Sequence, residues 1–190
     1  RRLYGYPQPL TPDSKWIAYA RLQDNQYKSI MVYSLEDQST RYVTDLLADA
    51  IAPIWDANGK YLYFLASTNF GLNTGWLDMS SYDPQTTRSV YMAILNNDTA
   101  SPFLPLSDEE GEKEKKNNGK ADSLVVTIDF DGLQNRILAL DMPNRNYVAL
   151  MEGPANSVFV AEIVPNQQGL TLHKFDVNKR EASAFLTGVN

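Results

Sequence analysis

Thr11-Pro12-Asp13-Ser14-Lys15-Trp16-Ile17-Ala18-Tyr19 returns 45 residues further on as Asp56-Ala57-Asn58-Gly59-Lys60-Tyr61-Leu62-Tyr63-Phe64. Each copy is a polar turn that opens onto an apolar strand. The turn chemistry is local: Asp13 and Asn58 can accept hydrogen bonds from backbone two residues on, and Gly59 supplies the positive φ that a tight reversal requires. A weaker third copy is Ala155-Asn156-Ser157-Val158-Phe159-Val160, again a turn signal leading into β-branched and aromatic residues. Repetition at this spacing marks a stack of similar supersecondary units.

A second signature reads strand, polar turn, strand. It begins with Ile30-Met31-Val32-Tyr33-Ser34-Leu35-Glu36-Asp37 and continues through Arg41-Tyr42-Val43. Related strings are Ile128-Asp129-Phe130-Asp131-Gly132 running into Arg136-Ile137-Leu138, and Phe175-Asp176-Val177-Asn178-Lys179 running into Phe185. Together the two signatures divide the chain into units at residues 1–45, 50–140 and 147–190. Propeller blades hold four strands in about 40–45 residues, which the first and third units fit. The middle unit is longer and carries insertions at residues 67–87 and 96–122.

The expectation is therefore an all-β chain, a β-propeller fragment of about three four-stranded blades, all parts of one propeller domain. An immunoglobulin-like sandwich would not produce the 45-residue echo. Propellers close with about four to eight blades. Three units thus imply a piece of a larger ring, and exposed blade faces would favour self-association into a homo-oligomer. Arg1-Arg2-Leu3-Tyr4 offers neither an initiator Met nor an apolar leader, which suggests a start in mid-protein.

Composition narrows the function classes. A formal net charge of -6 disfavours a phosphate-binding surface, so nucleic acid is not an expected partner. No apolar run approaches the roughly 18 residues of a membrane span. There is no cysteine, which removes thiolate catalysis, disulfides and zinc-thiolate sites.

Acyl transfer through serine needs a base, and the one histidine, His173, sits in the strand pattern Thr171-Leu172-His173-Lys174-Phe175. Alternation sets it beside solvent-facing positions as an ordinary strand residue. The lysines that are candidates to replace it as a base fall in turns or in the charged linker around Asp108–Lys116, and no G-x-S-x-G string occurs. Asp129, Asp131, Gly132 and Asn135 invite a calcium reading. The stretch turns into the Arg136–Leu140 strand within five residues, however, too soon for a twelve-residue loop, so a hairpin turn is the expectation. No catalytic, cofactor or metal site is expected. Among Trp16, Trp55 and Trp76, the last lies in an insertion and is the candidate peptide contact.

Several strings resemble the propeller region of bacterial tricorn-like serine peptidases. They are Arg88-Ser89-Val90-Tyr91, the run from Ile128 through Arg136-Ile137-Leu138-Ala139-Leu140, and Gly75-Trp76-Leu77-Asp78-Met79-Ser80-Ser81-Tyr82-Asp83. Pro12 to Tyr19 and Gly59 to Ser67 also resemble the TolB-like blade repeat. The resemblance implies a periplasmic or secreted parent that hydrolyses peptides. Its nucleophile would lie outside these blades, which would serve as scaffold or substrate-access filter. The alternative is a TolB-like protein-interaction propeller with no attached peptidase.

Overall fold

The computed structural model describes residues 9–70, 86–105 and 124–189. They form three antiparallel sheets, each a meander in which consecutive strands are neighbours. The first holds β1 (Trp16–Leu22), β2 (Lys28–Ser34) and β3 (Thr40–Tyr42). In the second are β4 (Asp49–Trp55), β5 (Tyr61–Ser67), β6 (Ser89–Ile94) and β7 (Ile137–Ala139). The third comprises β8 (Tyr147–Glu152), β9 (Ser157–Glu162), β10 (Leu170–Asp176) and β11 (Glu181–Val189).

The repeat seen in the sequence recurs bond for bond. Thr11 N donates to Trp16 O at 2.9 Å, and 45 residues on Asp56 N donates to Tyr61 O at 2.9 Å. Lys15 N donates to Asp13 Oδ1, as Lys60 N does to Asn58 Oδ1. Leu10 bridges Ile17 in the first sheet just as Trp55 pairs with Leu62 in the second. Leu10 therefore occupies the position of the inner strand β4, although only three strands of this first sheet fall among the described residues.

Burial explains why β5 is a continuous apolar run, whereas β10 carries Thr171, His173 and Lys174 among its apolar residues. Tyr61, Tyr63 and Leu65 pack into one core with Val158, Val160 and Phe175 of the third sheet. Leu62 and Phe64 point the other way, into a second core with Ala18, Ile30 and Val32 of the first sheet. A strand sandwiched between two sheets has no solvent face on which to place polar residues. The middle sheet is thus the filling between two others, the face-to-face stacking of successive blades.

One element differs from expectation. Ile128-Asp129-Phe130 is not a strand, and β7 pairs with β6 rather than with it. Val126 and Ile128 are buried in the core between the first two sheets, which accounts for the apolar pattern. Their backbone, however, crosses the end of the sheets. Val126 N donates to the Asp13 carboxylate and Asp129 N to Leu95 O, so no ladder forms.

Candidate functional site

In an antiparallel meander, the β5–β6 and β6–β7 connections leave opposite ends of the sheet. The two insertions of the middle blade therefore emerge at opposite ends. Trp76 lies outside the described residues, but the root of its insertion is defined. Asn69 Nδ2 donates to Thr87 Oγ1 at 3.0 Å, and Thr87 N donates to Asn69 Oδ1 at 3.1 Å, closing the mouth of the excursion. Beside it the Lys28 ammonium sits 4.8 Å from the Phe70 ring centroid and 3.4 Å from the buried Asp49 carboxylate.

At the opposite end Arg136 ties off the second insertion. Its guanidinium donates to the carbonyls of Ile94 (3.1 Å), Asp131 (2.9 Å) and Asp129, and to the Asn97 side chain. The outgoing arm then crosses to the third sheet, where Phe103 meets Phe175 edge-on at 6.5 Å and Arg180 Nη2 donates to Leu104 O at 2.7 Å. The returning arm crosses to the first sheet, where Val126 N reaches Asp13 Oδ2 at 2.8 Å. Gly59 has φ +69, and a Cβ there would stand 2.6 Å from a Val126 methyl, so only glycine admits this arm.

Carboxylates from the repeated turns hook one sheet to another. Asp56 Oδ1 accepts from Asn156 N (2.8 Å) in the third sheet and from the Tyr63 hydroxyl (3.2 Å). Burial pushes the Asp56 carboxyl above its ordinary value, against the hydrogen bonds from Asn58, Asn156 and Tyr63. Asp13 shifts the opposite way. Burial raises it, but the bonds from Thr11, Val126 and Lys15, with the Lys15 charge, outweigh burial and hold it below the ordinary value.

His173 is more enclosed than alternation suggested. Thr171, His173 and Phe175 share the face that turns toward the second sheet, so the imidazole is only 14% exposed and lies against the Tyr147 ring. Its Nε2 is 2.6 Å from Glu162 Oε2, and Arg145 Nη1 is 3.3 Å from the same oxygen. Burial and the Glu162 charge raise the Tyr147 phenol, partly offset by Arg145. Among the described residues no serine or threonine hydroxyl bonds the imidazole. The cluster staples the approach to β8 onto β9 and β10.

Two of the calcium candidates accept hydrogen bonds. Asp129 Oδ2 accepts from Asn97 N at 2.8 Å, and the Asp131 carbonyl faces Arg136. Gly132 (φ 68) leads into a 3-10 turn at Leu133–Arg136 in place of the expected hairpin. Leu133 needs this turn to reach the core between the first two sheets. An open cleft of about 340 Å³ lies between the same sheets, walled by Phe64, Ala66, Tyr91 and Ile137 with Asp45 at its rim. Sequence patterning did not signal it, because it is formed where the short β3 leaves the outer part of the second sheet uncovered.

No family model matches the chain. A tricorn protease homolog of Saccharolobus solfataricus is 25% identical over 78% of this chain and 13% of its own length. A tricorn-like protease C-terminal subunit of Sulfurisphaera tokodaii is 23% identical over 94% of this chain and 20% of its own. The chain thus spans a fifth or less of these curated relatives. Among solved structures, the tricorn protease superposes with a TM-score of 0.60 at 14% identity, over 93% of this chain and 18% of that one. TolB from Acinetobacter baumannii gives 0.53 at 12% identity, over 99% and 35%. Both sequence relatives are archaeal, so the likeness is not tied to the bacterial members of the family. The chain is an array of propeller blades similar in fold to those of tricorn protease and TolB.

Proposed function

We propose that these blades are the non-catalytic propeller part of a tricorn-like serine peptidase, where they support the catalytic part and restrict which peptides reach it. The observation that carries this reading is the pair of tied-off insertions at opposite ends of the middle sheet. Asn69 and Thr87 root one, and Arg136 roots the other. Such excursions can overhang both mouths of a ring while leaving its blades intact. The sequence likeness to two tricorn-type proteases supports the peptidase parent. A periplasmic or secreted location belongs to the proposal and rests on the family resemblance. No helix among the described residues is long and apolar enough to cross a membrane.

The test uses the full-length gene product with Trp76→Ala or with residues 106–122 replaced by a short Gly-Ser link. The arms bearing Phe103 and Val126 are left in place. Removing a filter should raise kcat/KM for long peptides relative to short ones by about tenfold, a change of about 1.4 kcal/mol in relative barrier. An unchanged ratio in both variants contradicts the filter.

A further inference from the structure

The cleft between the first two sheets has an apolar wall and a polar rim. Ala50, Phe64, Ala66, Tyr91 and Ile137 line it from the second sheet, and the Phe64 and Tyr91 rings stack with centroids 5.6 Å apart. The small side chains of Ala48, Ala50 and Ala66 give it depth. Its volume of about 340 Å³ falls at the lower end of the ~300–1,000 Å³ range of ligand pockets, room for one large side chain and the backbone beside it.

The rim is held in place by hydrogen bonds. The buried Ser29 hydroxyl donates to Asp45 O at 3.0 Å, and Asn25 Nδ2 donates to Leu46 O at 2.8 Å. Asp45 Oδ1 accepts from Leu47 N at 3.1 Å. Leu47 is thereby kept 80% exposed at the opening of an apolar cleft. The side chains of Thr68, Tyr91 and Gln134 also line it and make no hydrogen bond among the described residues. Two hydroxyls and an amide supply the donors and acceptors that a peptide group needs. Asp45 is the one charged residue of the lining, and its Oδ2 has no partner among the described residues.

We propose that this cleft binds an extended peptide segment whose leucine-sized apolar side chain enters against Phe64 and Tyr91 while a neighbouring lysine or arginine meets Asp45. Charge selects the partner. The lining holds one carboxylate and no cation, and the chain carries a net charge of -6, so a basic segment is attracted and an acidic one repelled. A wholly apolar molecule would instead cover the polar groups of Thr68, Tyr91 and Gln134 without bonding them, which is costly. The inference does not need the peptidase reading, since it concerns binding and not hydrolysis.

The test uses the full-length gene product with any serine nucleophile blocked by a fluorophosphonate, so that hydrolysis or its absence leaves the outcome readable. The probe is acetyl-Gly-photoleucine-Lys-Gly-amide, whose diazirine side chain stands in for leucine, and adducts formed on illumination are mapped by mass spectrometry. They should fall on residues 44–48, 64–68, 91 and 134–137. Ala66→Leu fills the cleft and should cut the yield there about tenfold, with circular dichroism to verify the fold. The exposed Asp45→Asn keeps an acceptor for Leu47 N and should cut the yield about threefold. It should have no effect on a probe carrying Gln in place of Lys. Adducts absent from these residues would overturn the proposal, whether the cleft rejects the peptide or is already filled by the chain itself or by a second copy. Adducts that persist undiminished in folded Ala66→Leu, or an equal response of both probes to Asp45→Asn, would overturn it as well.

Discussion

Arg136→Ala is expected to destabilise the protein by about 3 kcal/mol, since hydrogen bonds from a charged donor contribute about 1.5–3 kcal/mol each and do not add fully. The guanidinium holds both ends of the β6–β7 insertion, taking carbonyls from Ile94 on one side and from Asp129 and Asp131 on the other. Without it the arms that reach Arg180 and Asp13 lose their common root. Arg136→Lys should recover less than half of the loss, because one ammonium cannot fork between carbonyls on two segments. Urea unfolding gives the magnitude. Hydrogen exchange at the amides of Asn97 and Asp129 should rise in the alanine variant before exchange in β5 does. Equal stability of the alanine variant and the native protein would show that the arms are held some other way.

Asp56→Ala is expected to cost a similar amount, about 3 kcal/mol, because it strands the donors of Asn156, Asn58 and Tyr63 in a buried turn. Asp56→Asn keeps an acceptor oxygen and should cost about 1 kcal/mol near neutral pH. The two also differ in pH dependence. The folded-state value of Asp56 is raised, so its titration contributes stability that is fully present below the unfolded value. That contribution is lost as pH rises through the folded value. The advantage of the native protein over Asp56→Asn should therefore be largest near pH 3 and shrink toward neutrality. An advantage that grows with pH would mean that the hydrogen bonds outweigh burial at Asp56, as they do at Asp13.

These two side chains show where the sequence was readable. The repeated turns were legible because their bonds are local. Asp13 to Lys15 and Asn58 to Lys60 close within two residues, and the strands that follow carry their apolar pattern openly. The apolar run of β5 likewise marked a strand, but its burial on both faces emerged only from the stacking of the sheets. What escaped was every interaction whose partner lies far along the chain. Asp56 meets Asn156, His173 meets Glu162 and Arg136 reaches back to Ile94, pairings set by sheet register and not by spacing. The misreading of Ile128-Asp129-Phe130 has the same origin. Alternation reports that a residue is buried, not whether its backbone bonds run to a neighbouring strand or to the turn carboxylate of another blade.

The central claim is that these blades carry no catalytic group of their own. His173 is the only histidine in the chain, and Glu162 holds it in an orientation that could pass for part of an acid–base pair. The most direct measurement is kcat for peptide hydrolysis by the full-length gene product carrying His173→Gln, with circular dichroism to verify the fold. If the imidazole is a staple between strands, kcat stays within about threefold of the native value while the melting temperature falls. A loss of about 10²-fold or more with the fold intact, the size expected for removing a general base, would contradict the account.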